Sequence, residues 1–290
     1  MADMNISEYW LPQPFSFWFT CYSKLHQSYR IPRTTTTPPS QLDSPLVHEL
    51  YDPLIHNGVT VVSTSPILYN MGGGVLTGAT KIYILYYGSW NANQKTIAET
   101  FLSHVGTTSW FNIEKTYYYR ASSTSPKVYI KGPKNGQVPN DSQGLYLLLS
   151  SSDVSEGSAE AGGTFCVNYC EYHLNFYVDN VAYVLGFIGN LQKCINGSGS
   201  TNPTNSPNGD AAVDAMVSVI AHELVDTMSD PFGSAWFGAT GNENADKCAW
   251  AFGSLTRLSN SPSCSVLVGG RYYLIQQNWN ANTQTCAMAA

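Results

Sequence analysis

The segment KIYILYYGSWNANQKTIAETFLSHV, residues 81–105, joins two elements in the order that starts an α/β fold. Its first part, KIYILYYG (81–88), is an apolar run rich in aromatic and β-branched residues, which is typical of a buried strand. Its second part, NANQKTIAETFLSHV (91–105), repeats apolar residues at helical spacing after an asparagine that can serve as N-cap. We therefore expect a buried strand followed by an amphipathic helix.

Further strands are expected downstream of this unit. They are KVYIKG (127–132), GLYLLLSS (144–151), HLNFYV (173–178) and VAYVLGFIG (181–189). The last two are separated by Asp179 and Asn180, a pair that favours a hairpin turn. A long helix is predicted over residues 210–229, and RYYLIQQNW (271–279) is predicted to be a late strand. This order predicts an α/β (α+β) fold in which a mixed β-sheet with flanking helices precedes a disulfide-rich C-terminal part.

The long predicted helix has an apolar stripe on one side and acidic residues on the other. The stripe consists of Val213, Met216, Val217, Ile220, Leu224 and Met228. The polar side lies in AHELVDTMSDP (221–231), where roughly an 80° sector contains His222, Asp226 and Asp230, with Glu223 beside them. A helix with ligands at positions i and i+4 can hold one metal ion, as in the H-E-x-x-H motif of zinc proteases. The spacing therefore predicts a metal site on an H-E-x-x-D helix.

The roles expected at this site follow the arrangement of a metalloprotease. His222 and Asp226 are the predicted helical ligands, because aspartate can replace histidine as a zinc ligand. Glu243 is the predicted third ligand, since thermolysin-like enzymes place a glutamate about that far beyond their motif. Glu223 has the position of the base that activates water. The residues expected to support these ligands, or to replace one of them, are Asp230, Asp246 and His173.

The charge pattern leaves both a metal site and a plain helix surface open. No lysine or arginine occurs between Lys193 and Lys247, although this interval contains seven of the 20 acidic residues of the chain. One interpretation is a solvated acidic face. The other is an external cation that balances the carboxylates. Zinc is the first expectation, with calcium or manganese as the alternative, because one histidine with two carboxylates is a hard donor set.

The composition favours an extracellular protein. Only 12% of the residues are charged and the net charge is −6, which argues against nucleic acid as a partner. No apolar stretch is long enough to span a membrane. Three disulfides, with the pairing left open, are expected among Cys166, Cys170, Cys194, Cys248, Cys264 and Cys286. Glycosylation sequons at Asn140 and Asn196 also fit secretion, although the sequence shows no clear signal peptide.

Six stretches between residues 69 and 286 form a specific pattern: YNMGGGVLTG, KIYILYYGSWNANQKTIAETFL, TFCVNYCEYH, VSVIAHELVDTMSDPFGSAWF, ENADKCAW and YLIQQNWN. They resemble the EXORDIUM/phosphate-induced protein 1 family of plant cell-wall proteins, and the chain looks like a microbial or algal-type member. The resemblance implies a secreted, apoplastic protein without a firmly assigned catalytic activity. The plant members tend to carry glutamate in place of Asp226. Residues 1–60 do not match the family and are interpreted as a weakly patterned N-terminal extension, with a single EXORDIUM-like domain over residues 61–290.

Two functions follow from these observations. The first is a secreted EXORDIUM-like protein of the extracellular space, cell wall or a fibre, non-catalytic, with wall or matrix glycans or further copies of itself as partners. It would hold a metal or no cofactor at all. The alternative is a zinc-dependent metallohydrolase, a peptidase, that uses His222, Glu223 and Asp226. The element order resembles the zincin layout, but a shared layout does not determine function. Low charge, abundant tyrosine and the missing second histidine favour the first function, whereas Glu223 favours the second, and whether the protein is an enzyme stays open.

Overall fold

The structure is a computed structural model that describes residues 48–49, 65–135, 141–158, 163–167, 169–195, 202, 204–259 and 262–290. Most of the predicted extension over residues 1–60 therefore lies outside the described residues, and so do both predicted glycosylation sites, Asn140 and Asn196. Within the described part of the chain, no helix combines the length and the apolar character that a membrane span requires.

The described residues contain three α-helices, which are α1 (Ala92–His104), α2 (Ser109–Glu114) and α3 (Ala211–Ser229). They also contain 3-10 turns at Val105–Thr107, Leu191–Lys193 and Asp246–Cys248. The strands are, in chain order, β1 (His48–Glu49), β2 (Leu68–Tyr69), β3 (Ala79–Tyr87), β4 (Tyr118–Tyr119), β5 (Val128–Tyr129), β6 (Gly132–Asn135), β7 (Leu145–Ser150), β8 (Gly157–Ser158), β9 (Gly163–Thr164), β10 (Glu171–Val178), β11 (Val181–Gly189), β12 (Trp236–Phe237), β13 (Thr256–Arg257), β14 (Ser263–Cys264), β15 (Val266–Val268), β16 (Arg271–Tyr273), β17 (Asn278–Asn280) and β18 (Thr285–Ala287).

A mixed six-stranded sheet organises the fold, with the strand order β1-β10-β11-β7-β3-β6. β3 runs parallel to β6 and β7, and β7 runs parallel to β11. β10 is antiparallel to β11 and to β1. The β10–β11 turn consists of Asp179 and Asn180, both with positive φ, as a type I′ hairpin turn requires. The predicted mixed sheet and its hairpin are therefore confirmed.

Helices α1 and α3 lie side by side and pack against the sheet, with α3 on β10 and β11. Each begins at a side-chain cap. In α1, the Asn91 side chain accepts a hydrogen bond from the Gln94 amide while the Gln94 side chain accepts one from the Asn91 amide. In α3, Asp210 accepts from the Val213 amide at 3.0 Å. The Gln94 amide group also donates to Asp210 at 2.9 Å, so the starts of the two helices are joined.

The surroundings of α3 differ from the sequence expectation. The predicted apolar stripe is buried, but the acidic side of the helix is buried as well, and so is every residue from Ala212 to Ser229. The interpretation of this side as a solvated acidic face is therefore wrong. The helix is enclosed because β10 and the segment that contains Asp246 cover its polar side.

Two predicted strands are interrupted. Residues 127–132 divide into β5 and β6 because Gly132 has φ of +120°, a conformation that side-chain-bearing residues rarely adopt. Residues 271–279 divide into β16 and β17 because the backbone between them bonds to other partners. The Ile275 amide donates to the Ser265 hydroxyl, and the Gln276 carbonyl accepts from the indole of Trp110.

The described residues form two disulfides, Cys166–Cys194 and Cys248–Cys286. The expectation of three bridges within the set of six is wrong for the described residues, because Cys170 and Cys264 are not joined to each other. Cys170 precedes β10 of the central sheet, whereas the Cys264 thiol, in β14, lies 3.4 Å from the Thr256 carbonyl oxygen. The number of cysteines could be read from the sequence, but their positions in the fold could not.

Candidate metal centre

Three elements bring ionisable side chains together on the polar side of α3. The helix contributes His222, Glu223, Asp226 and Asp230. Strand β10 contributes Glu171 and His173, and the segment after β12 contributes Glu243 and Asp246. We call these eight residues the acidic cluster. All are buried except Asp246, whose side chain is 14% exposed.

His222 is at the centre of the first half of the cluster. Its Nε2 atom lies 3.0 Å from Asp226 Oδ2 and 3.4 Å from Asp246 Oδ1. Neither contact has the alignment of a hydrogen bond. On the other side of the ring, Nδ1 faces the Gln276 side-chain oxygen at 3.5 Å. This neighbour can accept a proton from Nδ1, so that Nε2 is the ring nitrogen left to face the two carboxylates, through its own proton when no metal is bound or through its lone pair when it binds a metal.

The two carboxylates at Nε2 are held by the backbone. Asp226 Oδ1 accepts a hydrogen bond from the Ala245 amide at 2.6 Å. Asp246 Oδ2 accepts one from the Glu243 amide at 2.9 Å. In each case one oxygen is fixed by an amide and the other is directed at His222. The arrangement is therefore pre-organised to present one nitrogen and two oxygens to a common point.

Glu243 lies elsewhere in the cluster than its predicted role requires. Its Oε1 atom is 3.6 Å from His173 Nε2, whereas His173 Nδ1 is 3.2 Å from Glu223 Oε2. The position expected for Glu243, beside His222 and Asp226, is taken by Asp246. The reason is local, because the side chain of Asp246 caps the Glu243 amide and thereby turns its free oxygen towards His222.

Asp230 ends the helix rather than joining His222. The helix stops at Ser229, and Asp230 Oδ1 accepts hydrogen bonds from the amides of Ser234 and Ala235, both at 2.6 Å. These donors offset the unfavourable position of a carboxylate at a helix C-terminus. The next segment is also fixed by close packing, because a Cβ atom on Gly73 would collide with the Ser234 carbonyl oxygen.

The sequence-based prediction missed Glu171 and Gln276. Glu171 is buried, and an oxygen of its carboxylate belongs to a group with His222 and Glu223 in which the ligand atoms lie within 4.8 Å of one another. The sequence did contain a signal for Glu171. Alternate residues of a strand face the same side of the sheet, so Glu171 lies on the same face as His173, which is a predicted site residue. Nothing in the sequence indicated Gln276, which is 54 residues away from His222.

The pKa values of several groups in the acidic cluster are raised, which means that the cluster stabilises bound positive charge. Burial raises the pKa of Asp226 to about 6 and that of Asp230 to about 6, and it raises the pKa of Glu171 and Glu243 well above the ordinary value. Burial alone would lower the pKa of His173 and His222, but neighbouring carboxylates, Glu223 for His173 and Asp226 for His222, raise the pKa of both rings. The cluster therefore retains protons that solvent-exposed groups would release.

The distances at His222 fit the bonds of a divalent ion. Two ligands bound to one ion at about 2.0–2.2 Å lie roughly 2.8–3.6 Å apart at bond angles between 90° and 109°. The contacts of 3.0 and 3.4 Å are within this range. His222, Asp226 and Asp246 also form a second group of ligand atoms that lie within 4.8 Å of one another. These three residues are therefore the ones in the described part of the chain that best fit a metal ion.

Comparisons with known proteins identify the family of the chain. The family profile described as "Phosphate-induced protein 1 conserved region" matches residues 112–289, a segment that contains the whole cluster. The chain is similar to EXORDIUM-like 5 of Arabidopsis thaliana, with 24% identity over 76% of this chain and 76% of that protein. It is also similar to EXORDIUM-like 3 of Arabidopsis thaliana, with 26% identity over 75% and 81%, and to PHOSPHATE-INDUCED 1 of Nicotiana tabacum, with 22% identity over 74% and 86%. No solved structure matches the chain. Because the profile covers more than half of the sequence, the chain belongs to the phosphate-induced protein 1 family.

Proposed function

We propose that the protein is a secreted, non-catalytic EXORDIUM-like protein of the extracellular space or cell wall, in which one divalent metal ion stabilises the fold. The observation that carries the metal is the convergence of Asp226 and Asp246 on Nε2 of His222. Such an ion would connect α3 to the segment that contains Asp246. Its chemical contribution would be the positive charge that the buried carboxylates require.

Zinc is the first candidate for this ion, with calcium or manganese as the alternative. The nitrogen donor of His222 is suited to zinc. The carboxylates that surround it are the donors that manganese and calcium prefer. The choice between these metals depends on how many carboxylates bind.

The two disulfides support secretion, because structural disulfides form and persist mainly in oxidising compartments. The proposed partners are wall or matrix glycans, or further copies of the chain. Exposed tyrosines support both, since their rings can stack on sugars or pack against another protein; examples are Tyr129, Tyr177 and Tyr272. The low proportion of charged residues, 12%, and the net charge of −6 support the prediction that nucleic acid is not a partner.

The alternative function is a metal-dependent peptidase with a zincin-like layout. It is favoured by Glu223, because its carboxylate lies close to His222, where such enzymes keep the base that activates water. Two observations favour the non-catalytic function. Glu223 is buried, and its Oε2 atom is held by His173, so that ion pair accounts for a glutamate at this position without catalysis.

The test of the metal is elemental analysis of the purified protein, with Asp226→Asn as the variant and Asp141→Asn as its control. Asp141 is also an ion-paired aspartate, but it contacts Lys81 near the surface. We expect about one divalent ion per chain in the wild-type and control proteins, and a loss of most of it in Asp226→Asn. A wild-type protein that contains no metal and gains no stability from added zinc, manganese or calcium would refute the proposal.

The test of catalysis is a peptide-hydrolysis assay of the metal-loaded protein. We expect no turnover above that of the free metal ion. Turnover that disappears in Glu223→Gln while the bound metal remains would establish the peptidase instead.

A further inference from the structure

Glu171 is the least satisfied charged group of the acidic cluster. It is fully buried at the first position of β10, and neither oxygen of its carboxylate has a hydrogen-bond partner among the described residues. An ionised carboxylate in this position lacks the donors that would stabilise it, and a protonated one lacks an acceptor for its O–H. The side chain therefore requires a partner that the described protein groups do not supply.

The position of the carboxylate indicates what this partner is. One oxygen of Glu171, a ring nitrogen of His222 and a carboxylate oxygen of Glu223 lie within 4.8 Å of one another. Carboxylates predominate around this ring, because Glu223, Asp226 and Asp246 all lie beside the same His222 as Glu171 does. A group that binds here must be small and positively charged.

Glu114 shows how the same chain satisfies a buried glutamate without an ion. This residue of α2 is also fully buried, but its Oε2 atom accepts hydrogen bonds from Asn244 at 2.7 Å and from Asn278 at 3.2 Å. Amide donors have thus been placed around Glu114. No described residue donates a hydrogen bond to the Glu171 carboxylate. Its neighbours in the cluster are a ring nitrogen of His222 and a carboxylate oxygen of Glu223, both of which can bind a metal ion.

We propose that Glu171 is a further ligand of the divalent cation at His222, and that this additional oxygen makes the site one for a hard cation of the manganese type. The proposal rests on the metal centre proposed above and deepens it by assigning a ligand and a class of metal. The two groups of ligand atoms share His222, so that with Glu171 the donors around this ring are one imidazole nitrogen and carboxylate oxygens from β10, α3 and the segment after β12. An oxygen-rich set with a single nitrogen fits the higher coordination number of Mn²⁺ better than the tetrahedral preference of Zn²⁺.

The proposal has a structural consequence. Asp226 and Asp246 alone would connect α3 to the following loop, but Glu171 would extend this connection to the central sheet. Binding of the cation would then stabilise the packing of α3 on β10, and its removal would weaken that packing.

The experiment is a calorimetric titration of the EDTA-treated protein with Mn²⁺, comparing wild type, Glu171→Gln and Glu114→Gln. Both substitutions remove one buried carboxylate and keep its shape, so the control matches the test in burial and chemistry. We expect Glu171→Gln to weaken Mn²⁺ binding roughly tenfold or more and Glu114→Gln to leave it unchanged. The rise in Tm on adding Mn²⁺ should decrease in Glu171→Gln in the same proportion.

The outcomes separate this inference from the proposed function. Wild-type affinity in Glu171→Gln, or equal weakening in both variants, would overturn the role of Glu171 while leaving the metal centre intact. If wild-type protein does not bind Mn²⁺ or Zn²⁺ at all, the proposed metal centre itself fails. Should Glu171→Gln not fold, Glu171→Asp replaces it, and unchanged Mn²⁺ affinity in that shortened side chain would overturn the inference.

Discussion

Helices α1 and α3 both begin at a side-chain cap, but the polar side of α1 faces solvent whereas that of α3 is buried. Each starts at a capped residue, Asn91 or Asp210, and each has an apolar side and a polar side. In α1 the buried residues are confined to one side and include Ile97, Phe101 and Leu102, while the polar residues are largely exposed. In α3 both sides are buried.

The difference shows that a polar helix face does not by itself indicate solvent. The polar side of α3 is covered by β10 and by the segment around Asp246, which supply the His173 ring to Glu223 and the Ala245 amide to Asp226. A surface helix needs no such partners because water provides them. The buried carboxylates of α3 are therefore a feature to explain, whereas the single exposed carboxylate of α1, Glu99, is not.

The largest expected effect comes from removing a histidine from each helix. His222→Ala in α3 should lower the free energy of unfolding by about 3–5 kcal/mol, because Asp226 and Asp246 would lose their buried positive partner. His104→Ala, in the last turn of α1, is exposed and should cost less than about 0.5 kcal/mol. Urea unfolding of both variants measures the difference, and equal small effects would mean that the polar side of α3 is solvated after all.

A second effect concerns the segment that covers α3. The Cys248–Cys286 disulfide follows Asp246 directly and fixes this segment, so the variant with both cysteines changed to alanine should lose about 2–4 kcal/mol of stability. Cys264→Ala, which removes a thiol outside either bridge, should cost clearly less. Mass spectrometry of the unreduced protein checks the pairing, and a bridge that includes Cys264 would contradict the structure.

The pH dependence of stability should distinguish the cluster from an ordinary surface. The carboxyls of Asp226 and Asp230 have folded-state pKa values of about 6, above those of the unfolded chain, and the pKa of His222 is also raised. Each group therefore holds a proton more tightly when folded, so that the contribution of these groups to stability is largest at low pH and falls as pH rises through these values. In EDTA, the free energy of unfolding should fall by roughly 1–3 kcal/mol between pH 4 and pH 8.

Divalent metal should reverse this dependence, because metal binding requires deprotonated ligands and strengthens as pH rises. Urea unfolding at a series of pH values, with EDTA or with saturating Mn²⁺, provides the comparison. A stability that rises with pH in EDTA would contradict the assigned pKa directions, since it would mean that the unfolded chain binds more protons.

The smallest expected effect is at the start of α1. Asn91→Ala removes the capping hydrogen bond to the Gln94 amide and should cost about 0.5–2 kcal/mol, whereas Asn91→Ser, which keeps a capping oxygen, should cost less. Thermal unfolding followed by circular dichroism measures both. A loss as large as that of His222→Ala would show that α1 depends on polar contacts as strongly as α3 does.

The sequence predicted the elements well because their signals are local. The strand and helix of residues 81–105, the Asp179-Asn180 turn and the bounds of α3 each follow from residues close together in the chain. The predicted strand at 271–279 is interrupted because its central backbone bonds with residues far away, such as Trp110. The absence of a Cys170–Cys264 bridge among the described residues has the same origin, because pairing depends on where cysteines lie in the fold.

The candidate site was predictable only along its helix. The i, i+4 relation of His222 and Asp226 brings their side chains to 3.0 Å, as helix geometry requires. Contributions from other elements were harder to assign. Glu243 was chosen by its distance along the chain, but the cap that Asp246 forms on the Glu243 amide puts Asp246 at His222 instead. Whether these residues bind a metal stays a prediction.

The central claim is that the buried polar side of α3 faces a cation, and a crystal structure of the Mn²⁺-loaded protein with anomalous diffraction tests it most directly. We predict an anomalous peak at about 2.0–2.3 Å from His222 Nε2 and from one oxygen each of Asp226 and Asp246. A lysine or arginine side chain between these carboxylates, or water alone with no anomalous signal, would contradict the claim and make the polar side of α3 a structural feature only.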